Sequence, residues 1–169
     1  MNANLIVTYD PAHAGAAKEE VDALLKAAKT KAKFLKSDID GVFMLRVSNP
    51  KALCKKLNGQ KALLKKMQAV FHWTPIDKWV KSDVKSMSSA AASFGKKIGQ
   101  KERWKMDLNK RLWDKMHTTD LIIKLTDGID KPNVDLEKPE KIVQVEIIKD
   151  KAGLALLKPE EKVNIPALK

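Results

Sequence analysis

The stretch KKIGQKERWKMDLNKRLW, which runs from Lys96 to Trp113, decides how the second half of the chain is interpreted. Successive side chains of a strand point to opposite faces of its sheet, so an extended chain separates these residues into two sets. The apolar set is Trp104, Met106, Leu108 and Leu112, and the polar set is Lys105, Asp107, Asn109 and Arg111. The stretch therefore predicts a strand with one face in a core and a basic face in solvent, where it can bind phosphate.

Composition sets the limits of the fold and favours a polyanionic partner. The 169 residues are 44% hydrophobic, enough for one medium domain or two small ones. Lysine and arginine outnumber aspartate and glutamate by 33 to 21, which gives a net charge of +12. This excess suits nucleic acid first and an anionic membrane surface second. The alternative is a lysine-rich, highly soluble surface that binds neither.

Cysteine content and hydropathy place the chain in a reducing, aqueous compartment. Cys54 is the single cysteine, which excludes an internal disulfide and a CxxC metal site. The N-terminal sequence MNANLIVTYDPAHAG lacks the features of a signal peptide, and no run approaches the roughly 20 apolar residues of a membrane span. We therefore expect a cytoplasmic protein that does not associate with membranes.

The first 75 residues predict an N-terminal ferredoxin-like βαββαβ domain. The elements are a strand over 4–9, a helix over 14–28, a hairpin of strands 33–39 and 42–48 around Asp40-Gly41, a helix from Asn49-Pro50 to about Met67, and a strand over 69–75. Gly59 is a weak point of the second helix. Its outer face carries no acid and six lysines: Lys51, Lys55, Lys56, Lys61, Lys65 and Lys66.

Residues 76–169 predict a second α/β domain with the order αβαββ, so the fold class of the whole chain is α+β. The elements are a helix over about 82–98 capped by Ser82 or Asp83, a strand over 103–112, a helix from the N-cap Thr118, a strand over 141–149, and a last strand over 154–158 after a turn at Ala152-Gly153. The tail from Pro159 onward is expected to be extended or disordered.

Catalytic motifs are missing from the sequence. There is no glycine-rich phosphate loop and no GxSxG motif, and His13, His72 and His117 lack the spacing of a zinc site. The acids of DGIDKPNVDLE lack the spacing of a calcium loop. We therefore expect no catalytic residue, no metal, no cofactor and no enzymatic activity.

A concentration of charge favours binding instead. Between Lys81 and Arg111, nine basic residues stand against three acidic ones. The candidate phosphate contacts are Lys96, Lys97, Lys101, Arg103, Lys105, Lys110 and Arg111. Strict alternation places Lys110 on the core side, so it reaches RNA only where the strand bulges or leaves the sheet. Of the nearby tryptophans, Trp104 is assigned to the core, while Trp79 and Trp113 remain open to stacking on an unpaired base.

The second half resembles a THUMP domain over about residues 70–158. VFHWTPI at 70–76, RWKMDLNKR at 103–111, TTDLIIKLTDGI at 118–129 and AGLALL resemble successive parts of that domain. The most specific part is NVDLEKPEKIVQVEII at 133–148, which resembles its VDL-x-x-P segment and the following strand. Here Asp107 and Asn109 interrupt the basic face, which in the family often carries more arginine.

This resemblance implies binding of tRNA through its acceptor stem and CCA end, with a ferredoxin-like domain in front. Many relatives carry a thiouridine synthase, methyltransferase or deaminase domain afterwards. This sequence ends with the THUMP pattern, and so resembles the adaptor branch that presents tRNA to a separate acetyltransferase forming N4-acetylcytidine. The alternatives are an RNA-binding subunit of a split tRNA thiolation or methylation enzyme, and a protein-interaction module without RNA binding.

Overall fold

The computed structural model describes residues 3–169 of the chain. They form two compact units: the first holds the described residues up to Ile76 together with Glu160–Lys169, and the second is Asp77–Pro159. Each unit has one sheet and its own helices, which confirms the predicted α+β class. Among the described residues, none of the helices is long and apolar enough to cross a membrane.

The first unit is an antiparallel sheet covered by helices. Its elements are β1 (Leu5–Tyr9), α1 (Ala14–Ala27), β2 (Lys33–Leu35), β3 (Val42–Arg46), α2 (Pro50–Asn58), α3 (Lys61–Lys65), β4 (Val70–Pro75) and β9 (Val163–Asn164). The strand order is β2-β3-β1-β4-β9, and all four pairings are antiparallel. The first four strands and their helices follow the predicted ferredoxin-like order.

The helix predicted from Asn49-Pro50 to about Met67 is divided at Gly59 into α2 and α3. Asn49 caps the start of α2, because its side chain accepts a hydrogen bond from the backbone N–H of Ala52 at 3.1 Å. The helix ends at Asn58, with Gly59 as its C-cap, and α3 begins two residues later. Glycine costs up to about 1 kcal/mol inside a helix, so the break falls where continuation is least favourable.

The C-terminal tail differs from the sequence-based expectation of an extended or disordered segment within the second half. In the structure β9 pairs with β4, so the tail belongs to the first unit. Val163 and Ile165 are each only 1% exposed within the core of that unit. Burial of these two side chains orders a segment whose prolines give no helix or strand signal.

The second unit has a four-stranded mixed sheet. Its elements are β5 (Lys78–Lys81), α4 (Val84–Gly95), β6 (Trp104–Arg111), α5 (Thr118–Thr126), β7 (Lys141–Ile148) and β8 (Lys151–Leu157). The strand order is β5-β8-β7-β6, with β6 parallel to β7 and the other pairs antiparallel. The predicted αβαββ order is present, preceded by β5, which the sequence does not reveal because KWVK is too short to show a period.

Two local details of the second unit also differ from the sequence-based expectation. The turn before the last strand lies at Lys149-Asp150, where Lys149 adopts a left-handed backbone with φ 54°. Ala152 and Gly153, expected as the turn, lie inside β8. The N-cap of α5 is His117 rather than Thr118, while Asp83 caps α4 as expected through a 2.7 Å bond from the Ser86 N–H.

Gly95 marks a close approach within the second core, and we expect Gly95→Ala to destabilise the chain. An added Cβ would lie 2.9 Å from both Cγ atoms of Ile129, a buried branched side chain. Overpacking costs about 1–3 kcal/mol, which exceeds the gain in helix propensity of about 1 kcal/mol. Urea denaturation of the variant should therefore show a loss of about 1–2 kcal/mol.

Two comparisons identify the clash as the cause of this loss. Gly128→Ala is the matched control, because its Cβ would meet Ala92 at an ordinary 3.5 Å. In the background of Ile129→Ala, the Gly95 substitution should become neutral or stabilising. An equal loss in both backgrounds would show that packing against Ile129 is not the reason.

Candidate nucleic-acid interface

From Trp104 to Asn109, the central strand of the candidate site, β6, is sorted by face as its sequence predicts. Leu112, predicted on the apolar face, instead lies beyond the end of the strand and is 68% exposed. Trp104, Met106 and Leu108 are 2%, 8% and 7% exposed and belong to the core of the second unit. Lys105 and Asp107 are half-buried on the other face, and Asn109 is exposed there. β6 is the last strand of the sheet order and has β7 as its neighbouring strand, while Trp104 at its start also forms a bridge with Val134. The polar residues therefore lie on one face of an edge strand.

The connection from α4 to β6 presents a group of exposed cations. Lys96 caps the C-terminus of α4, and Lys97, Lys101 and Arg103 follow it before the strand begins. We call these residues and the first strand lysine the α4–β6 basic cluster: Lys96, Lys97, Lys101, Arg103 and Lys105. Among the described residues its four lysines make no ion pair, and Lys97 lies 5.7 Å from the ring centre of Phe94.

The acid within this connection, Glu102, is held by hydrogen bonds to Gly99 and Lys141. Glu102 accepts a 2.7 Å hydrogen bond from the backbone N–H of Gly99. Its carboxylate also accepts bonds of 3.1 and 3.2 Å from Lys141 Nζ. The Gly99 bond, and then the Lys141 bond, lower the pKa of Glu102 below its ordinary value of 4.5. The negative charge of Glu102 is therefore compensated inside the chain, which leaves the neighbouring lysines available to an external anion.

This arrangement makes Glu102 an acid-sensitive contact. A carboxyl whose pKa is lowered by folding stabilises the native state above its unfolded pKa, and that contribution is lost as pH falls through the folded pKa. We expect Glu102→Gln to lower the free energy of unfolding at pH 7 and to close the gap to the parent well below pH 4.5. Urea denaturation at pH 7 and pH 3 measures both gaps.

Glu137→Gln is the control for this prediction, because it removes the same charge from an exposed side chain of the same unit. Its effect on unfolding should be small at both pH values. If the gap between Glu102→Gln and the parent were equal at pH 7 and pH 3, the Glu102 contacts would not carry the acid dependence.

Arg103 belongs to an ion pair that solvent weakens. Its Nε lies 3.2 Å from Glu140 Oε1, and the two side chains are 48% and 45% exposed. Hydrogen bonds from the Arg103 backbone N–H and then from its guanidinium lower the pKa of Glu140, so the pair is charged at neutral pH. Exposed ion pairs contribute little to stability, so a phosphate can compete with Glu140 for the guanidinium.

The two remaining predicted phosphate contacts, Lys110 and Arg111, lie at the C-terminal end of β6 and interact with other groups of the chain. Lys110 Nζ donates to the carbonyl of Met116 at 2.7 Å and lies 5.9 Å from the ring centre of Trp113. It therefore points to the core side, as alternation requires. Arg111 Nη1 donates to Glu146 Oε1 at 3.2 Å, and Glu146 is only 2% exposed.

Glu146 is the centre of a buried polar group that sequence reasoning missed. Its other oxygen, Oε2, accepts hydrogen bonds from Asn109 Nδ2 at 2.7 Å and from Gln144 Nε2 at 2.9 Å. Three donors thus converge on one carboxylate on the polar face of β6 and β7. The signal available in sequence was the presence of Gln144 and Glu146 in the otherwise apolar run IVQVEII, because buried polar groups and charges need partners.

A cavity of about 480 Å³ lies beside the carboxyl ends of β5, β6 and β7. Its lining includes three lysines and three aspartates: Lys81, Lys115, Lys149, Asp83, Asp114 and Asp150. Leu112, also in the lining, is 68% exposed and has a left-handed backbone with φ 55°. The balance of charges gives this cavity no preference for phosphate, in contrast to the α4–β6 basic cluster.

The tryptophans mostly support the fold. Trp73, Trp104 and Trp113 are buried, and Trp79 is half-buried. Trp104 Nε1 donates to the carbonyl of Lys131 and Trp113 Nε1 to that of Ser82. The assignment of Trp104 to the core is confirmed, and Trp113 is not exposed for stacking on a base. Within residues 3–169, no group of three or more His, Cys, Asp or Glu is placed to hold a metal ion.

Comparison with known proteins gives a domain match and a fold match. The family model described as "THUMP domain" matches residues 86–157, which lie within the second unit. The match includes β6, α5, β7 and β8, and all but the first two residues of α4. A search of curated proteins found no match.

Several solved structures share the fold. PH1313 from Pyrococcus horikoshii Ot3 has a TM-score of 0.60 at 15% identity over 92% of this chain, and TrmN from Thermus thermophilus has 0.58 at 11% over 90%. A 4-thiouridine synthetase in complex with RNA and ATP has 0.51 at 18% over 97%. This chain spans 55%, 44% and 42% of the length of these three.

Proposed function

We propose that the chain is a non-catalytic tRNA-binding adaptor for tRNA modification, because the THUMP domain model matches residues 86–157. It binds tRNA through the acceptor stem and CCA end and presents it to a separate enzyme, an acetyltransferase that forms N4-acetylcytidine. The observation that carries the RNA-binding part is the α4–β6 basic cluster within that domain. Its lysines are unpaired among the described residues, and its acid is compensated internally.

The physical basis of binding is release of counterions from the phosphate backbone. Each phosphate neutralised by a lysine or arginine releases condensed cations, which favours binding without the reading of any base. Arg103 adds a planar guanidinium that can bind a phosphate in bidentate fashion. We assign Lys96, Lys97, Lys101, Arg103 and Lys105 to direct contact with RNA.

In this proposal Lys110 and Arg111 also stabilise the fold. Lys110 holds the segment after β6 through Met116, and Arg111 compensates Glu146. A guanidinium has five N–H donors, so Arg111 keeps donors for a phosphate while it bonds to Glu146. Replacement of either residue would change the fold and the binding together, so neither is the cleanest test of RNA contact.

Modification profiling tests which enzyme the chain serves. In tRNA from a strain that lacks this chain, we expect loss of N4-acetylcytidine while other modified nucleosides persist. Loss of a thiolated or methylated nucleoside instead would support the RNA-binding subunit of a split enzyme. Unchanged profiles, together with failure of the purified chain to bind tRNA at moderate salt, would support a protein-interaction module.

A further inference from the structure

A second basic surface lies in the first unit, outside the THUMP match. From Gly41 to Ile76 the sequence contains seven basic residues and no acid. Five exposed lysines of this stretch belong to α2, α3 and the residue after α3. We call them the α2–α3 lysine face: Lys55, Lys56, Lys61, Lys65 and Lys66.

The core orients this face toward solvent. Leu53 and Leu57 of α2 and Leu64 of α3 are at most 2% exposed, so the lysines occupy the outer side of both helices. Within the described residues, none of the five side chains makes a hydrogen bond or an ion pair. Elsewhere cations are compensated, as Lys18 is by Asp22 at 2.8 Å.

Acidic residues of α1 and of the C-terminal tail approach this region. Glu20 accepts hydrogen bonds from the backbone N–H groups of residues 68–70, so its carboxylate is used within the chain. At the end of α2, Asn58 Nδ2 donates to the backbone carbonyls of Glu160 and Lys162, at 3.0 and 2.9 Å. These last two bonds involve the backbone, and no carboxylate takes part in them.

Helix stability accounts for some of these charges and leaves Lys61 unexplained. Lys55, Lys56 and Lys65 lie in last turns, where a cation interacts favourably with the helix dipole. Lys61 is the first residue of α3, where a cation is unfavourable, and it repels Lys65 at the i,i+4 spacing. Lys61 is therefore unfavourably placed in the free chain, and the helix dipole stabilises Lys55, Lys56 and Lys65 only in part.

The side chains of the α2–α3 lysine face favour a nucleic-acid backbone over a membrane surface as the partner. A membrane-surface helix carries exposed apolar side chains beside its cations. The exposed large hydrophobic residues of the described chain are Leu112, Ile123, Val134 and Leu136, and all of them lie in the second unit. A face of lysines alone offers point charges, which suit a phosphate backbone and read no sequence.

We propose that the α2–α3 lysine face is a second phosphate-binding surface that contacts the backbone of RNA. This inference rests on the proposed tRNA binding and adds a contact from the first unit. Two surfaces in one chain bind the same RNA with a high effective concentration, so the first unit raises affinity without adding specificity.

A charge-matched pair of variants tests this surface in the full chain. The test variant is Lys55→Gln, Lys61→Gln and Lys65→Gln; the control is Lys31→Gln, Lys33→Gln and Lys36→Gln, exposed lysines of the same unit. Fluorescence anisotropy with intact tRNA across a salt titration gives affinity and salt slope. We expect the test variant to bind about tenfold more weakly than the control, with a slope reduced by about 0.7–0.9 for each phosphate that is no longer neutralised. Circular dichroism checks that both remain folded.

The possible outcomes test RNA binding by the lysine face separately from the proposed function of the chain. If the parent binds tRNA and the two variants bind equally, the lysine face is not an RNA contact, while the proposed function stands. If the parent does not bind tRNA, the proposed function itself fails, and this inference with it. A third arm uses vesicles of phosphatidylserine and phosphatidylcholine. Loss of vesicle binding in the test variant alone, with tRNA binding unchanged, would identify a membrane surface and overturn the RNA assignment.

Discussion

Replacement of Lys96, Lys97, Lys101 and Arg103 by glutamine should weaken tRNA binding about a hundredfold at low salt. All four side chains are exposed, and the three lysines have no ion pair among the described residues. Each phosphate that is no longer neutralised takes about 0.7–0.9 from the slope of log K against log salt, so loss of four contacts should lower the slope by about 2.8–3.6. Anisotropy titrations between about 50 and 200 mM salt measure both quantities.

A charge-matched control separates local contact from net charge. Lys26, Lys31, Lys33 and Lys36 are exposed lysines of the first unit, and their replacement by glutamine removes the same total charge. This control should change affinity only slightly, through the weak long-range field. Equal losses in the two variants would mean that net charge alone drives binding and that the α4–β6 basic cluster is not the contact.

Glu146→Ala should strongly destabilise the fold. The substitution removes the buried acceptor of Asn109 and Gln144 and leaves Arg111 without its counter-charge. Breaking a buried pair costs about 3–5 kcal/mol, and the 26% exposure of the Arg111 side chain moves the expectation to the lower end, about 3 kcal/mol. Urea denaturation at neutral pH measures the loss.

A double-mutant cycle measures how much of this loss in stability comes from the pairing of Arg111 with Glu146. We expect Arg111→Ala and Glu146→Ala together to cost less than the sum of the single variants, with a coupling of about 1–3 kcal/mol. Additive losses would show that Arg111 and Glu146 do not depend on each other. In that case Arg111 would be available in full for RNA.

Sequence patterns predict those elements whose period is clear. The alternation from Trp104 to Leu108 places β6 correctly, and helical spacing locates α1, α2 and α4 within a few residues at their N-terminal ends. The pairing of β9 with β4 joins residues about 90 positions apart, and no local pattern encodes such a contact. β5 is missed for a related reason, since four residues gain their strand geometry from pairing with β8.

The candidate site is predictable in composition and less so in detail. Charge density points to the segment from Lys96 to Arg111, but it cannot tell compensated cations from uncompensated ones. Arg103 with Glu140, and Arg111 with Glu146, are partners 37 and 35 residues apart. Lys110 is the exception, because alternation alone indicates that it faces inward.

Chemical-shift mapping gives a residue-level test of RNA binding at the α4–β6 basic cluster. The 18.9 kDa chain is labelled with ¹⁵N and titrated with an acceptor-stem minihelix that ends in CCA. We predict that amide signals of residues 96–105 shift on addition of the minihelix. Absence of any shift there, while the minihelix binds elsewhere or not at all, would contradict the assignment of this cluster as the RNA contact.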